Sequence, residues 1–501
     1  MVYEVIVVGG GIGGLTVAAL LAVRGVKVCL FEKESRGGGC AVIAPERFGY
    51  RFESGAGLYA SWQPGEIHER IFAELPVATP EVKAADPPYI VRLPDMIDVS
   101  LGGDDEEFEA RLRAAFPECA AGAVGIYREI TPVAEALQRA ALRVPDLPHA
   151  SKLQRMKIIA SEARIAPRVL GAMDHTVAQH LQFTSPRFRR FIDAQLQIFT
   201  QRPSDECAYL YGAVALNVPR RGMYLIRGGA SALSDTLTEA IRKSGGMVRF
   251  DAPVLRLAYN SSGSAAIGVD LLSGERVTAT RAIVSNLTVW DTYGKLVGLN
   301  RTPDAVRARL KKLHGWGAYL LYLGVDEDAA SRLPAERILA LTDWRAGEKF
   351  DPENSLLMFS AAPSWDTRAP EGKRAVTVST FTEPEQWFTF HQDETEHEAQ
   401  DQKMLEAWWE RLHAALPELG AGLEVIETAT PRTFYERTRR KLGMVGGLGQ
   451  SLDVFGPASV THRTSLQNLY MVGDTAFPGQ GIAAITHSAL VVANEIAPPN
   501  K

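Results

Sequence analysis

The sequence has few cysteines, no surplus of basic charge and no long apolar run, and each shortage removes a class of protein. Its four cysteines, Cys29, Cys40, Cys119 and Cys207, are scattered without a CxxC pair, which leaves neither a zinc site nor a disulfide framework to build on. A reducing, cytoplasmic setting is the expectation. With 54 Lys+Arg against 59 Asp+Glu the net charge is −5, and no basic face for binding nucleic acid is foreseen. No stretch reaches the roughly 18 uninterrupted apolar residues of a spanning helix, so any membrane contact is expected to be peripheral. An apolar run begins almost at once and leads straight into glycines, unlike the basic start and cleavage site of a signal peptide, and the N-terminus is expected to be mature. What remains is an ordinary globular composition: 501 residues, 46% hydrophobic and 23% charged. That length suggests roughly two to four domain-sized units.

The opening VYEVIVV is β-branched and apolar through its second half, as a strand buried on both faces of a parallel sheet should be. Glycines 9–14 follow, then LTVAALLAVRG, helical in spacing and stopped at Gly25, then a second strand over 26–31. This is a complete βαβ unit. A region of the same flavour spans 227–257, with a turn, an amphipathic helix, a Gly-Gly stop and strands continuing to about 285. A third covers 468–496, with a strand, a glycine-rich turn and a helix over 482–496. Between them, 86–219 is dominated by helical patterns and 301–464 mixes strands at 318–325 and 375–382 with a helix near 396–416. The expected architecture is α/β. A discontinuous Rossmann-type cofactor domain (1–85, 220–300 and 465–501) carries an inserted mixed α/β substrate domain with a helical insertion (86–219 and 301–464).

Gly9, Gly11 and Gly14 fit G-x-G-x-x-G, enclosing Ile12 and Gly13, and the strand-turn-helix setting gives the pattern its meaning. Gly9 permits the tight turn, Gly11 admits a pyrophosphate to the backbone, and Gly14 lets helix and sheet close. Glu32, followed by Lys33, ends the next strand about 20 residues on, where a carboxylate accepts from the ribose hydroxyls of an adenosine and repels a 2′-phosphate. NADP is therefore disfavoured. NAD and FAD share this fingerprint, and two features favour FAD. The glycines Gly37, Gly38 and Gly39 offer bare backbone where a long cofactor continues past its pyrophosphate. Gly473-Asp474 and Gln480-Gly481-Ile482 bring a second strand end and helix N-terminus, placing a carboxylate for ribityl hydroxyls and a dipole for negative charge on a reduced flavin.

These residues resemble the phytoene desaturase and carotenoid isomerase family of FAD-dependent, glutathione-reductase-like and amine-oxidase-like flavoproteins. The resemblance is carried by VVGGGIGGLTVAALLAVRGVKVCLFEK, GGGCAVIAPERFGYRFESGAG, YLIRGGASALSDTLTEAIRKSGGMVRFDAPVLRL and HRTSLQNLYMVGDTAFPGQGIAAITHSA. It implies an enzyme with Gly9, Gly11 and Gly14 on the pyrophosphate, Glu32 on the ribose, and Gly38 and Gly39 along the ribityl-pyrophosphate stretch. It further implies Val254 beside the adenine, Asp474 on the cofactor chain, and Gln480, Gly481 and Ile482 at the isoalloxazine. The chain departs from the family at Cys40, where many members carry arginine, and at Glu53, where many carry aspartate.

The implied substrate is a long apolar isoprenoid such as a carotenoid, met at a membrane surface, with desaturation or cis-trans isomerisation as the reaction. Neither demands a strong side-chain base, and the sequence offers no catalytic side chain by motif. His462 and His487 read as packed structural histidines, and Trp62, Tyr209, Tyr211, Trp316, Tyr319 and Tyr322 as core aromatics. Two other readings stay open: an amine-oxidase-like or retinol-saturase-like flavoprotein with a smaller substrate, and a noncatalytic flavin- or carotenoid-binding protein.

Overall fold

The computed structural model describes residues 1–42, 44, 46–345, 348–388 and 394–499. The strand Val2–Val8 lies parallel between Arg276–Ser285 and Val28–Phe31, and its Val5, Ile6 and Val7 are wholly buried because helices cover one face of the sheet and a second apolar cluster the other. The helix Ile12–Val23 is buried almost all the way round, since it packs against both Gly229–Lys243 and Ile482–Ile496 while lying on the sheet. Its end explains a shift from the expected strand. Gly25 adopts φ +82° and the Val26 amide turns back to the Leu21 carbonyl at 3.0 Å, so pairing begins only at Val28.

The first sheet runs Val254–Tyr259, Ala266–Leu271, Arg276–Ser285, Val2–Val8, Val28–Phe31 and Met247–Arg249, with Leu469–Met471 pairing alongside the end of Arg276–Ser285. Val8, Phe31, Ser285 and Met471 thus end parallel strands on one edge. Ligands of doubly wound sheets gather at such an edge. A second seven-stranded sheet is mainly antiparallel. Helices of the 105–221 stretch cover one of its faces and Glu394–Ala415 the other, through Trp408 and Leu412 against Tyr319 and Leu321. Its short strands Ile90–Arg92 and Asp98–Ser100 interrupt the otherwise helical insertion. Three residues are too few to display a period of two.

A buried ionic knot joins the 53–59 segment to the 366–368 loop. Glu53 accepts from the Tyr59 hydroxyl at 2.9 and 3.0 Å and from Arg368 at 3.0 Å, and Arg368 also pairs with Asp366 at 2.8 Å. The glutamate at this departure from the family pattern therefore has a structural use in reaching these partners.

His68 bears on acid stability. It is buried, stacked on Trp62 with ring centroids 4.3 Å apart, and burial pushes its pKa from 6.5 down to about 3. The unfolded chain therefore binds a proton that the folded chain refuses as pH falls below 6.5, and stability is lost at about 1.4 kcal/mol per pH unit through that window. Urea unfolding of His68→Phe should show a shallower loss between pH 7 and pH 5 than the parent chain. Equal slopes would mean that the histidine is protonated in the folded state.

Candidate cofactor-binding cleft

A cavity of about 790 Å³ opens at the carboxyl ends of the parallel strands. One end is built from two glycine turns laid backbone to backbone. The Gly9 amide donates to the Phe31 carbonyl at 2.8 Å, and the Gly38 amide donates to the Gly10 carbonyl at 2.7 Å. A β-carbon on Gly14 would sit 2.1 Å from the Gly9 carbonyl oxygen, so only glycine lets the helix close on the strand. Gly11 precedes the helix without a side chain to cap it. The first amides of Ile12–Val23 lack intrahelical acceptors, and Ile12 and Gly13 line the cavity. Uncapped amides beside bare backbone suit a phosphate group.

Glu32 is held ready at this end. Its two carboxylate oxygens accept from the Gly10 amide at 2.6 Å and the Glu34 amide at 2.9 Å, and each retains a lone pair for a ribose hydroxyl. Lys33 lines the wall and pairs with Glu34. Val254, opening its strand, also lines the cavity, as do Gly38 and Gly39.

Gly473, Asp474 and Ile482, together with Cys40, also line the cavity. Asp474 accepts from Arg440 at 2.8 Å, and Arg440 also donates to the Met444 carbonyl at 2.7 Å. Burial opposes the Arg440 charge, but its ionic partners, Asp474 foremost, more than offset this and raise its pKa. Burial in turn pushes up the Cys40 thiol, which keeps it protonated at neutral pH. Cys40 thus leaves no cationic gap, because residue 440 brings a guanidinium to the same wall.

Gly14, Gln480 and Gly481 stand outside the lining. The Gln480 amide donates to the Ile198 carbonyl, so that side chain faces the helix Pro186–Thr200. Gly481 takes φ +89° as it opens the last helix, a conformation closed to proline, which makes a proline there a test of folding rather than of flavin chemistry. Sequence reasoning missed Asn286, whose amide approaches the Gly9 carbonyl at 3.4 Å, and Asp291, which pairs with Lys295 at 2.8 Å. Asn286 follows the end of a parallel strand, and that rule alone would have found it. No histidine is among the lining residues, and each lining carboxylate has a partner. His462 and His487 are instead buried against Ser488 and the Pro145 carbonyl, and Tyr319 and Tyr322 are core.

This cleft has recognisable company. The chain is 25% identical over 507 residues to the chloroplastic prolycopene isomerase of Arabidopsis thaliana, covering 99% of this chain and 82% of that protein. It is 24% identical to the all-trans-retinol 13,14-reductase of Danio rerio, over 98% of this chain and 85% of that one. It is also 25% identical to the zeta-carotene-forming phytoene desaturase of Myxococcus xanthus, over 98% and 93%. In three dimensions it superimposes on putrescine oxidase with a TM-score of 0.60 at 15% identity, over 99% of each chain, which shows the shared fold. Residues 12–497 match the flavin-containing amine oxidoreductases, so the chain belongs to that family and is an FAD-dependent oxidoreductase.

Proposed function

We propose that this enzyme desaturates or isomerises a long apolar polyene of the carotenoid type, which it takes from a bilayer surface without spanning it. The observation that carries this reading is the cleft's lack of an unpartnered acid or base, since every lining carboxylate is engaged and no histidine reaches the cavity. Bound FAD supplies the hydride chemistry that a substrate without ionisable groups requires. Full-length similarity to a prolycopene isomerase and a phytoene desaturase supports the same substrate class. No helix among the described residues is long and apolar enough to cross a membrane.

In this reading the segments 1–85, 220–300 and 465–501 form the FAD-binding domain, and 86–219 with 301–464 the substrate domain. The strands of the two large sheets divide between these segments without exception among the described residues, which supports the division. Gly9, Gly11, Ile12 and Gly13 hold the pyrophosphate, and Gly14 lets the helix close on the strand beside it. Glu32 binds the ribose, Lys33 and Val254 flank the adenosine, and Gly38, Gly39, Gly473 and Asp474 follow the cofactor chain. Gln480, Gly481 and Ile482 shape the turn at its flavin end, where the uncapped helix Ile482–Ile496 presents its positive terminus to developing negative charge.

Anaerobic incubation of the holoenzyme with cis and trans polyenes, with the flavin oxidised or reduced beforehand, followed by product separation, tests the proposal. A product with one more double bond from the oxidised enzyme marks a desaturase, and a geometric isomer from the reduced enzyme marks an isomerase. Recovery of every polyene unchanged in both states would defeat the reading.

A further inference from the structure

The helix Lys152–Ser161 buries none of its ten residues, although half of them are apolar. Ten residues make a marginal helix in water, and packing of an apolar face ordinarily supplies its stability. Here Leu153 (62% exposed), Met156 (66%) and Ile159 (42%) follow one another at three-residue spacing, so they share one side of the helix. Leu170, Met173 and Phe183 (86% exposed) add to the apolar surface of the same lobe. Basic side chains accompany this face. Lys152, Arg155, Lys157 and Arg164 form no ion pair among the described residues, and the nearby acid, Glu162, is neutralised by Arg139 at 2.9 Å and Arg143 at 3.5 Å. The lobe is therefore cationic on a chain whose net charge is −5.

We propose that Lys152–Ser161, with the apolar residues that follow it, docks on the surface of an anionic lipid bilayer. Uncovered Leu, Met, Ile and Phe side chains bordered by unpaired Lys and Arg match the acyl boundary and charged headgroups of such a surface, each basic residue strengthening attachment by roughly fivefold. The location suits delivery of an apolar substrate. The lobe is anchored where the Pro145 carbonyl accepts from His487 at 2.7 Å, on the same helix whose first residue, Ile482, lines the cleft. The docking lobe is thus tied to the helix that opens at the cleft. The docking geometry stands on exposure and charge, and only its purpose rests on the polyene reading.

Flotation of the holoenzyme with pigment-free vesicles, either phosphatidylcholine alone or mixed with phosphatidylglycerol, is the test. The enzyme should float with the anionic vesicles and lose this at high salt. Leu153→Glu/Met156→Glu and Lys152→Glu/Lys157→Glu should each lower the bound fraction at least tenfold, whereas Leu299→Glu, exposed elsewhere, should not. Failure of the parent enzyme to float, or undiminished flotation of both double variants, would overturn the proposal. So would a dimer in lipid-free buffer that Leu153→Glu/Met156→Glu dissociates, because a second copy would then cover the face. A chain that floats through these residues but converts no polyene refutes the functional reading and leaves the docking surface standing. One that converts detergent-dispersed polyene yet never floats does the reverse.

Discussion

Gly11→Val is expected to purify without flavin. A β-carbon at this position would lie 2.6 Å from the Asn286 amide, at the end of a side chain that can swing aside, so the fold should tolerate the change. The valine methyls would then occupy the space beside the Ile12 and Gly13 amides, where a pyrophosphate must approach. A loss of at least about 100-fold in FAD affinity, or about 2.7 kcal/mol, should follow, with unfolding nearly that of the parent apoprotein. Flavin absorbance per chain after gel filtration is the readout, and a full complement of flavin on the folded variant would refute the assignment. Gly14→Ala makes the contrast, because its β-carbon would strike the Gly9 backbone oxygen at 2.1 Å, and there the fold itself should suffer.

Asp474→Ala should damage stability as much as binding. Arg440 and Asp474 are both largely buried, with side chains 15% and 12% exposed, and removing the carboxylate strands the guanidinium. Losing one partner of such a pair costs about 3–5 kcal/mol, whereas replacing both by apolar groups is often close to neutral. Urea unfolding of the apoprotein should therefore rank Asp474→Ala well below the parent, with Asp474→Ala/Arg440→Met regaining most of the difference. Flavin content should stay low in both variants if Asp474 follows the cofactor chain as proposed, since both lack its carboxylate. A double variant no more stable than the single one would show that the pair is exchanged for water at little cost.

The parts of the fold legible in the sequence were those with a local physical signature. The glycine-rich run 9–14 stands between a strand apolar through its second half and a helix, and the last helix, Ile482–Ile496, follows a glycine turn, so each could be read from its own neighbours. Arg440 could not, because nothing in the spacing brings position 440 to Asp474 or Cys40, and only the folded chain makes one wall of them. Gln480 shows the opposite limit: its backbone neighbour Ile482 lines the cleft while its side chain turns to the Ile198 carbonyl, a choice set by packing. The stretch KLQRMKIIAS lies in the segment dominated by helical patterns, which do not tell a covered helix from an uncovered one. That no core receives it is a property of the surrounding lobe.

Anaerobic titration of the oxidised holoenzyme, once with an apolar polyene dispersed in detergent and once with a primary or polyamine, tests the account most directly through the flavin spectrum. The polyene should perturb or bleach the flavin absorbance while the amine leaves it unchanged, because the cleft offers no unpartnered carboxylate to receive an ammonium group. Bleaching by the amine, with hydrogen peroxide released on admitting air and no response to any polyene, would contradict it.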